Sequence, residues 1–343
     1  MNSYKKVIKD VETRRKLLDA LAFVPDKQMI RLQYLIKTGR LPNLKSPKRY
    51  TEKIQWYKLN YRNPQVTQCS DKYAVRFYVE EKGLGHLLNE LYAVYDAPED
   101  IDFESLPTSF ALKLNNGSGT NIFVEDKEKL DSGEAIGKLR GWMNRLKKSN
   151  PGREWGYNDI VPKVTAERLL PRNECNDIPD FKFFCFDGRV FCLYVMQSYV
   201  DDHSKGELGF FDRDFNLLPV RRKDFSSLTR IPQKPPRFKE MVSAAEILSE
   251  GLPHVRVDFF DIGGNPVFAE MTFYNASGYT VFEPDIFDYE MGRGFVLPTQ
   301  VADAGGEGCV RHGRPRQENA TDSGTGRSGS CDAVRGGNEM DRR

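Results

Sequence analysis

The sequence predicts an α+β fold with a mainly helical N-terminal region, and three observations carry that prediction. Residues 1–85 are patterned with the 3.6-residue period of helices. From residue 109 onward, short apolar runs with strand alternation dominate and return on themselves at Asn-Gly and Gly-Gly turns. Helices at 127–148 and 239–249 bracket those runs. Helices around antiparallel strand pairs suit an α+β enzyme better than a repeat protein or an all-β sandwich.

Element by element, Val7, Ile8, Val11, Leu18, Leu21 and Ala22 share one face of a helix over 4–22. Met29, Leu32, Leu35 and Ile36 do the same over 27–38, where Gly39 stops the helix. A loop with Pro42 and Pro47 follows, then a short helix that Thr51 is placed to cap, carrying Ile54, Trp56 and Tyr57. A further helix spans 71–82 and closes at Gly83. Strands are expected at 109–113, at 122–124, and then at 161–170, 181–186, 190–199, 207–212, 254–260 and 266–273. Residues 299–343 contain nine Gly and no aromatic residue, Leu or Ile, so they cannot bury enough apolar surface to offset chain entropy. We expect this tail to be disordered and foreign to the fold, as a shifted reading frame would produce. The expected division is 1–66 helical and basic, 67–165 a first lobe, 166–298 a second lobe, and 299–343 the tail.

Of the 343 residues, 39% are hydrophobic and 29% charged, which suits a chain with a packed core, and no apolar run is long enough for a transmembrane helix. The polar, basic start and six scattered cysteines without metal spacing lead to the expectation of a cytoplasmic protein, with Cys185 and Cys192 as buried thiols. The net charge of +2 hides an asymmetry: residues 1–62 carry +11 and the remainder −9. A basic front region could be a solvated helical surface, or could meet an anionic partner such as a polyanionic glycan, nucleic acid or, peripherally, a membrane surface.

Three segments carry candidate chemistry. In Lys113-Leu-Asn-Asn-Gly117-Ser118-Gly119-Thr120-Asn121, a strand lysine precedes a glycine loop. Such a loop can close backbone N–H groups over phosphate oxygens, to which the lysine adds a point charge. An ordinary Asn-Gly hairpin is the alternative. In the second, Arg256 and Asp258 share one face of a strand, and Glu270 and Thr272 share a face of the next, across a Gly263-Gly264-Asn265 turn. Paired carboxylates repel unless a cation or a shared proton joins them. Two carboxylates and a hydroxyl suit Mg²⁺, and an ion network centred on Arg256 would equally satisfy them. In the third, Glu167 precedes Pro179-Asp180-Phe181-Lys182-Phe183, which directs Asp180 and Lys182 to one face of an otherwise apolar strand. There either a nucleotide or a salt bridge would satisfy them.

In this order the segments resemble the ATP-grasp superfamily, and more closely its TupA-like members. The resemblance includes Arg49-Tyr50-Thr51-Glu52-Lys53-Ile54-Gln55-Trp56, Asp71-Lys72-Tyr73-Ala74-Val75-Arg76, Asp180-Phe181-Lys182-Phe183, Arg256 to Phe260 and Glu270 to Tyr274. It extends from about residue 28 to Leu297. It implies an ATP-grasp fold, two α+β lobes clasping ATP, and the activity of a carboxylate–amine ligase with Mg²⁺. It implies Arg76 and Lys113 near phosphates and Gly117, Ser118 and Gly119 as a flap. It implies Glu167 at the adenine hinge and Asp180 on the ribose. Lys182 and Arg256 would face the transferring phosphate, and Asp258, Glu270 and Thr272 would hold Mg²⁺. The family's association with surface polysaccharides implies an anionic glycan or sugar-acid substrate, an amine, and no nucleic acid.

Thr272 stands where better-known ATP-grasp ligases have asparagine, though it is typical of the TupA-like group, and the chain departs from relatives at Asn275, where proline is common, and at Gly156, where histidine is expected. His203 and His254 are the candidate bases for the amine. The competing readings are a glycosyltransferase using Asp212-Arg213-Asp214 or Asp100-Ile101-Asp102 with a metal, and a non-catalytic glycan-binding protein.

Overall fold

The computed structural model describes residues 11–146, 150–200 and 205–298. The tail at 299–343, His203, Val7 and Ile8 lie outside the described residues. Helices α1 (Val11–Ala20), α2 (Asp26–Thr38), α3 (Tyr50–Asn60), α4 (Pro64–Ser70) and α5 (Ala74–Glu81) come first. Strands β1 (Leu91–Tyr95), β2 (Phe110–Leu114) and β3 (Asn121–Val124) follow, then helix α6 (Ser132–Leu146) and strand β4 (Val164–Glu167). Next are β5 (Asp180–Phe186), β6 (Arg189–Gln197), β7 (Glu207–Phe211) and the two-residue strands β8 (Arg221–Arg222) and β9 (Ser226–Ser227). Helix α7 (Phe238–Ser249), β10 (Val255–Ile262), β11 (Asn265–Thr272), β12 (Phe282–Glu283) and α8 (Ile286–Gly294) complete the order.

The strands form two main sheets. A four-stranded antiparallel sheet has the order β1-β4-β2-β3. Phe110, Leu112, Leu114, Val164 and Ala166 pack from one of its faces onto Leu139 and Met143 of α6. A six-stranded sheet has the order β11-β10-β5-β6-β7-β9, antiparallel except for the short β7–β9 pairing. One face of β5 and β10 presents Phe181, Phe183, Val257 and Phe259, all at most 1% exposed. Phe183 meets Phe238 of α7 with ring centroids 5.8 Å apart. The pairing matches a period of two against 3.6: each second strand residue reaches the helix, and the residues between reach the opposite side.

The helical start is confirmed in kind and corrected in detail. Helix α3 begins at Tyr50, so Thr51 lies inside it and is not its cap. The Thr51 hydroxyl donates to Asp288 Oδ2 at 2.8 Å and its N–H donates to Asp288 Oδ1 at 3.0 Å. A carboxylate of α8 therefore sits on the positive end of α3. The expected helix at 71–82 begins at Ala74, because Asp71 Oδ1 accepts from the Tyr73 and Ala74 N–H groups ahead of it. The expected helix at 127–148 is a short turn of helix at Lys127–Lys129 followed by α6. Strand β4 runs through residue 165, where the sequence reading divides the lobes, and Glu167 still belongs to the four-stranded sheet.

Candidate active site

The polar face of the six-stranded sheet is a continuous charge network. Ladder register sets Asp258 opposite both Lys182 and Glu270, and Arg256 opposite Thr272. Lys182 Nζ lies 2.5 Å from Asp180 Oδ2 and 2.6 Å from Asp258 Oδ2. Arg256 donates to Asp258 from Nε at 2.7 Å and from Nη2 at 2.5 Å. Its Nη2 also reaches Glu270 Oε1 at 3.1 Å and Thr272 Oγ1 at 3.0 Å. Its Nη1 donates to Asn275 Oδ1 at 2.5 Å.

Asp258 is 0% exposed, and both cations meet it there. Burial pushes the Asp180 carboxyl up to about 6, with Asp258 adding to the rise and Lys182 opposing it. Burial also favours the neutral form of Glu270, but Lys72, Lys182 and Arg256 outweigh it and hold that carboxyl down at about 2. The ion network that the sequence left as one alternative for Arg256 is therefore present.

A second, smaller cluster sits on the four-stranded sheet. Lys113 lies opposite Thr165 and Ala111 opposite Glu167. Lys113 Nζ is 2.8 Å from Glu167 Oε2, and Thr165 Oγ1 donates to Glu167 Oε1 at 3.2 Å. Burial raises the Glu167 carboxyl, but Lys113, Asn89 and Arg76 together hold it below its ordinary value. Arg76 itself donates to the Asn89 carbonyl at 2.8 Å.

Between β2 and β3 lies the glycine loop, fastened to the start of α5. Asn115 Nδ2 donates to Asp71 Oδ2 at 2.9 Å, the Lys72 N–H donates to the Asn115 carbonyl at 2.9 Å, and Lys72 Nζ donates to the Gly117 carbonyl at 2.7 Å. A Cβ on Gly117 would come within 2.3 Å of Thr120 Oγ1, and Gly119 has φ +66°. Neither position accepts a side chain without a shift of the loop.

Lys72 also lies 3.7 Å from Glu270 Oε2, joining loop and sheet. Between them is a cleft of about 730 Å³ lined by Lys72, Gly117, Ser118, Arg256, Glu270 and Thr272, with Glu154, Tyr157 and Ser277 on the far side. That far wall is clamped from beneath. Ala276 and Ser277 have positive φ, and Lys58 Nζ donates to both the carbonyl and the hydroxyl of Ser277 at 2.7 Å. Gln55 Nε2 adds bonds to the Ser277 and Gly278 carbonyls at 2.9 Å. Burial pulls the Lys58 ammonium down to about 7.

The structure thus brings Gly117, Ser118, Arg256, Glu270 and Thr272 to one cleft, with Asp180, Lys182 and Asp258 beneath it, and keeps Lys113, Glu167 and Arg76 as a neighbouring group. Gly119 is in the loop but is not among the residues lining that cleft. Asn275, marked in the sequence only as a departure from relatives, holds Arg256, whereas Lys72 and Lys58 were not singled out from sequence. Lys72 and Lys58 stand in or beside quoted motifs, and their charge in otherwise packed segments was the available signal.

Donor chemistry gives the test for Mg²⁺. Asp258, Glu270 and Thr272 offer only oxygens, adjacent in register, and Glu270 and Thr272 open to the cleft. No group of three or more His, Cys, Asp or Glu poised for a metal occurs among the described residues. Mg²⁺ needs only one or two carboxylates when phosphates and water complete its shell, so Glu270 and Thr272 fit it, while both oxygens of Asp258 are engaged by Lys182 and Arg256.

Other candidates separate clearly. His254 is fully buried, with Nε2 3.1 Å from the Tyr50 hydroxyl and Nδ1 3.3 Å from the Cys185 carbonyl. Burial lowers it to about 3, so it is a neutral core residue rather than a base for the amine. Asp212 accepts from the Asp214 and Asn216 N–H groups and from the Asn216 side chain, which makes Asp212-Arg213-Asp214 a turn. Asp100-Ile101-Asp102 closes a short helical turn at Pro98–Asp100. Gly156 has no room for the histidine expected of relatives, since even a Cβ would meet Val66 Cγ1 at 2.7 Å. Cys185 and Cys192 are buried free thiols, as expected.

The family model for TupA-like ATPgrasp matches residues 52–296. The chain belongs to this family. Its match starts at Glu52, inside α3, and includes both charge clusters, the glycine loop and α8. A search of curated proteins found no match.

Among solved structures, a D-alanine–D-alanine ligase from Bacillus anthracis is 18% identical with TM-score 0.36, covering 60% of this chain and 57% of that one. An ATP-grasp ligase, PsnB, complexed with a phosphomimetic variant of its minimal precursor, Mg and ADP, is 15% identical with TM-score 0.36. It covers 65% of this chain and 57% of that one. An N5-carboxyaminoimidazole ribonucleotide synthetase from Thermus thermophilus is 14% identical with TM-score 0.34, covering 73% of this chain and 52% of that one. The chain therefore spans little more than half the length of these structures. No described helix is long and apolar enough to cross a membrane.

Proposed function

We propose that the protein is an ATP-dependent carboxylate–amine ligase that forms an amide through an acyl-phosphate, acting in surface polysaccharide or teichuronopeptide-type biosynthesis. The observation that carries this reading is Arg256 spanning Asp258, Glu270 and Thr272 at the floor of a cleft whose opposite wall is the Gly117–Ser118 loop. Two buried cations and three carboxylates on one sheet face, with Lys72 reaching Glu270 from outside the sheet, are costly to retain for folding alone. They suit a site whose ligand is itself highly charged.

In this reading ATP lies between the two sheets. Arg76 and Lys113 serve its phosphates, Glu167 stands at the adenine end, and Asp180 takes the ribose. Asp258 and Glu270, with Thr272, would hold Mg²⁺, which supplies charge neutralisation at phosphate oxygens. Lys182 and Arg256 stabilise the charge that spreads over the transferring phosphoryl group. A substrate carboxylate oxygen attacks the γ-phosphorus and ADP leaves. The amine nitrogen then attacks the acyl carbon, and inorganic phosphate leaves as the amine loses a proton. The Gly117–Gly119 flap, held by Lys72, excludes water that would otherwise hydrolyse the acyl-phosphate. The carboxylate donor is an anionic glycan or sugar acid, and the expected compartment is the cytoplasm.

Hydroxylamine trapping tests the reaction. With ATP, Mg²⁺ and a panel of uronic acids and peptides, the full chain should form a hydroxamate and ADP in equal amounts. Arg256→Lys should reduce both by at least about a hundredfold, as loss of a donor to a developing charge does. ATP turnover that no carboxylate stimulates, with no hydroxamate formed, would contradict a ligase.

A further inference from the structure

The outer face of α2 is apolar where a surface helix is ordinarily polar. Met29, Ile30, Gln33 and Tyr34 face inward and are buried. On the opposite side Leu32, Leu35 and Ile36 are 46%, 41% and 47% exposed, at the i, i+3, i+4 spacing of one stripe. Phe23, in the turn before the helix, is 81% exposed, and Leu41, just beyond it, is 66% exposed. Large apolar side chains grouped this way on a surface mark an interaction site.

The same stretch is uniformly basic. Residues 27–49 contain seven Lys or Arg and no Asp or Glu. Arg40 and Arg49 are held by Asp285, and Lys37 lies over the Tyr279 ring. Lys27, Arg31, Lys45 and Lys48 are exposed. Of the carboxylates beside this stretch, Asp26 is held by Arg153 at 2.9 Å, and Glu52 accepts from the Asn43, Lys48 and Arg49 N–H groups.

These two properties choose the occupant. A second copy would set one basic face against another. A polyanionic glycan would leave the aliphatic stripe and Phe23 unsatisfied. An anionic lipid surface meets both, taking the apolar side chains among its acyl chains and the cations among its headgroups. We propose that the outer face of α2, with Phe23 and Leu41 at its ends, docks on an anionic membrane surface.

Docking there places the cleft near the membrane. The inner face of α2 is joined to the cleft rim by Gln33 Nε2 donating to the Pro151 carbonyl at 2.9 Å, and Asn150, Pro151 and Gly152 line the cleft. The inference does not depend on which reaction the cleft performs.

Flotation of the full chain with vesicles tests it. The chain should float with vesicles containing phosphatidylglycerol and stay behind with pure phosphatidylcholine. Lys27→Glu with Arg31→Glu should weaken binding by about tenfold or more, and raised salt should mimic it. Leu32→Ser with Leu35→Ser and Ile36→Ser should weaken binding comparably while leaving the ATP-induced thermal shift unchanged. A folded chain that does not float with phosphatidylglycerol vesicles would overturn the proposal. So would binding indifferent to both variants, or an apolar variant whose only effect is to turn a dimer into a monomer.

Discussion

Strands β5 and β10 carry two faces that differ by one residue of alternation. Phe181, Phe183, Val257 and Phe259 point to α7, and Asp180, Lys182, Arg256 and Asp258 point to the cleft. Both sets are almost wholly removed from water. The first explains itself, because apolar burial stabilises the fold in proportion to area. The second does not, because a buried ion network of this kind is often no better for stability than apolar residues of similar volume. On the proposed reading, the contrast separates what the sheet needs in order to fold from what its cleft holds in readiness for a charged ligand.

Substitutions on the two faces should therefore fail differently. The largest loss of stability is expected for Phe183→Ala, which empties a fully buried aromatic site and should cost about 3–5 kcal/mol in chemical denaturation. Its remaining folded fraction should bind nucleotide normally. Asp258→Asn should cost about 3 kcal/mol, since it leaves Arg256 and Lys182 short of a counter-charge in the interior. Unlike Phe183→Ala, it should also abolish nucleotide binding by the folded fraction. If the two variants behaved alike in binding, the distinction between the faces would fail.

A smaller effect should appear only in acid. Glu270 stays ionised in the folded chain down to about pH 2, whereas an unfolded glutamate takes up its proton near 4.5. The unfolded chain binds the extra proton between those values, so this group's contribution is complete above about pH 4.5 and is lost as the pH falls toward 2. Melting curves of Glu270→Gln should therefore decline less steeply across that window than those of the parent chain. The smallest effect is expected for Asp212→Asn, which loosens an exposed turn and should leave ATP-dependent activity within twofold, about 0.4 kcal/mol. A metal-dependent loss of activity in that variant would revive the Asp-x-Asp reading.

How far the sequence reveals this site depends on whether alternation alone is needed. Strand period two is enough to put Arg256 beside Asp258 and Glu270 beside Thr272, and the Gly-Gly turn is enough to pair them. Arg256 holding both carboxylates is compatible with that pattern but not required by it, because side-chain direction across a ladder depends on register. Lys72 was harder to see. Its role comes from a contact 45 residues away with Gly117, which no local period encodes. Lys58 looks like a surface charge on a short helix until the loop at 275–278 folds over it. Strand β1, every residue of it half-buried, lacks the alternation that marks the others, and α8 is defined as much by Asp288 capping α3 as by its own spacing.

The most direct measurement is the thermal stability of the full chain with ATP–Mg²⁺, beside UDP-sugars with Mn²⁺. A ligand at about a hundred times its Kd adds about 2.7 kcal/mol, an easily read shift. The account predicts that ATP–Mg²⁺ stabilises the parent chain, that Glu270→Gln loses most of this shift while remaining folded, and that UDP-sugars have no effect. A folded chain that ignores ATP–Mg²⁺ and is stabilised by a UDP-sugar would contradict the central claim that the charged face of β5, β10 and β11 is a nucleotide site of a ligase.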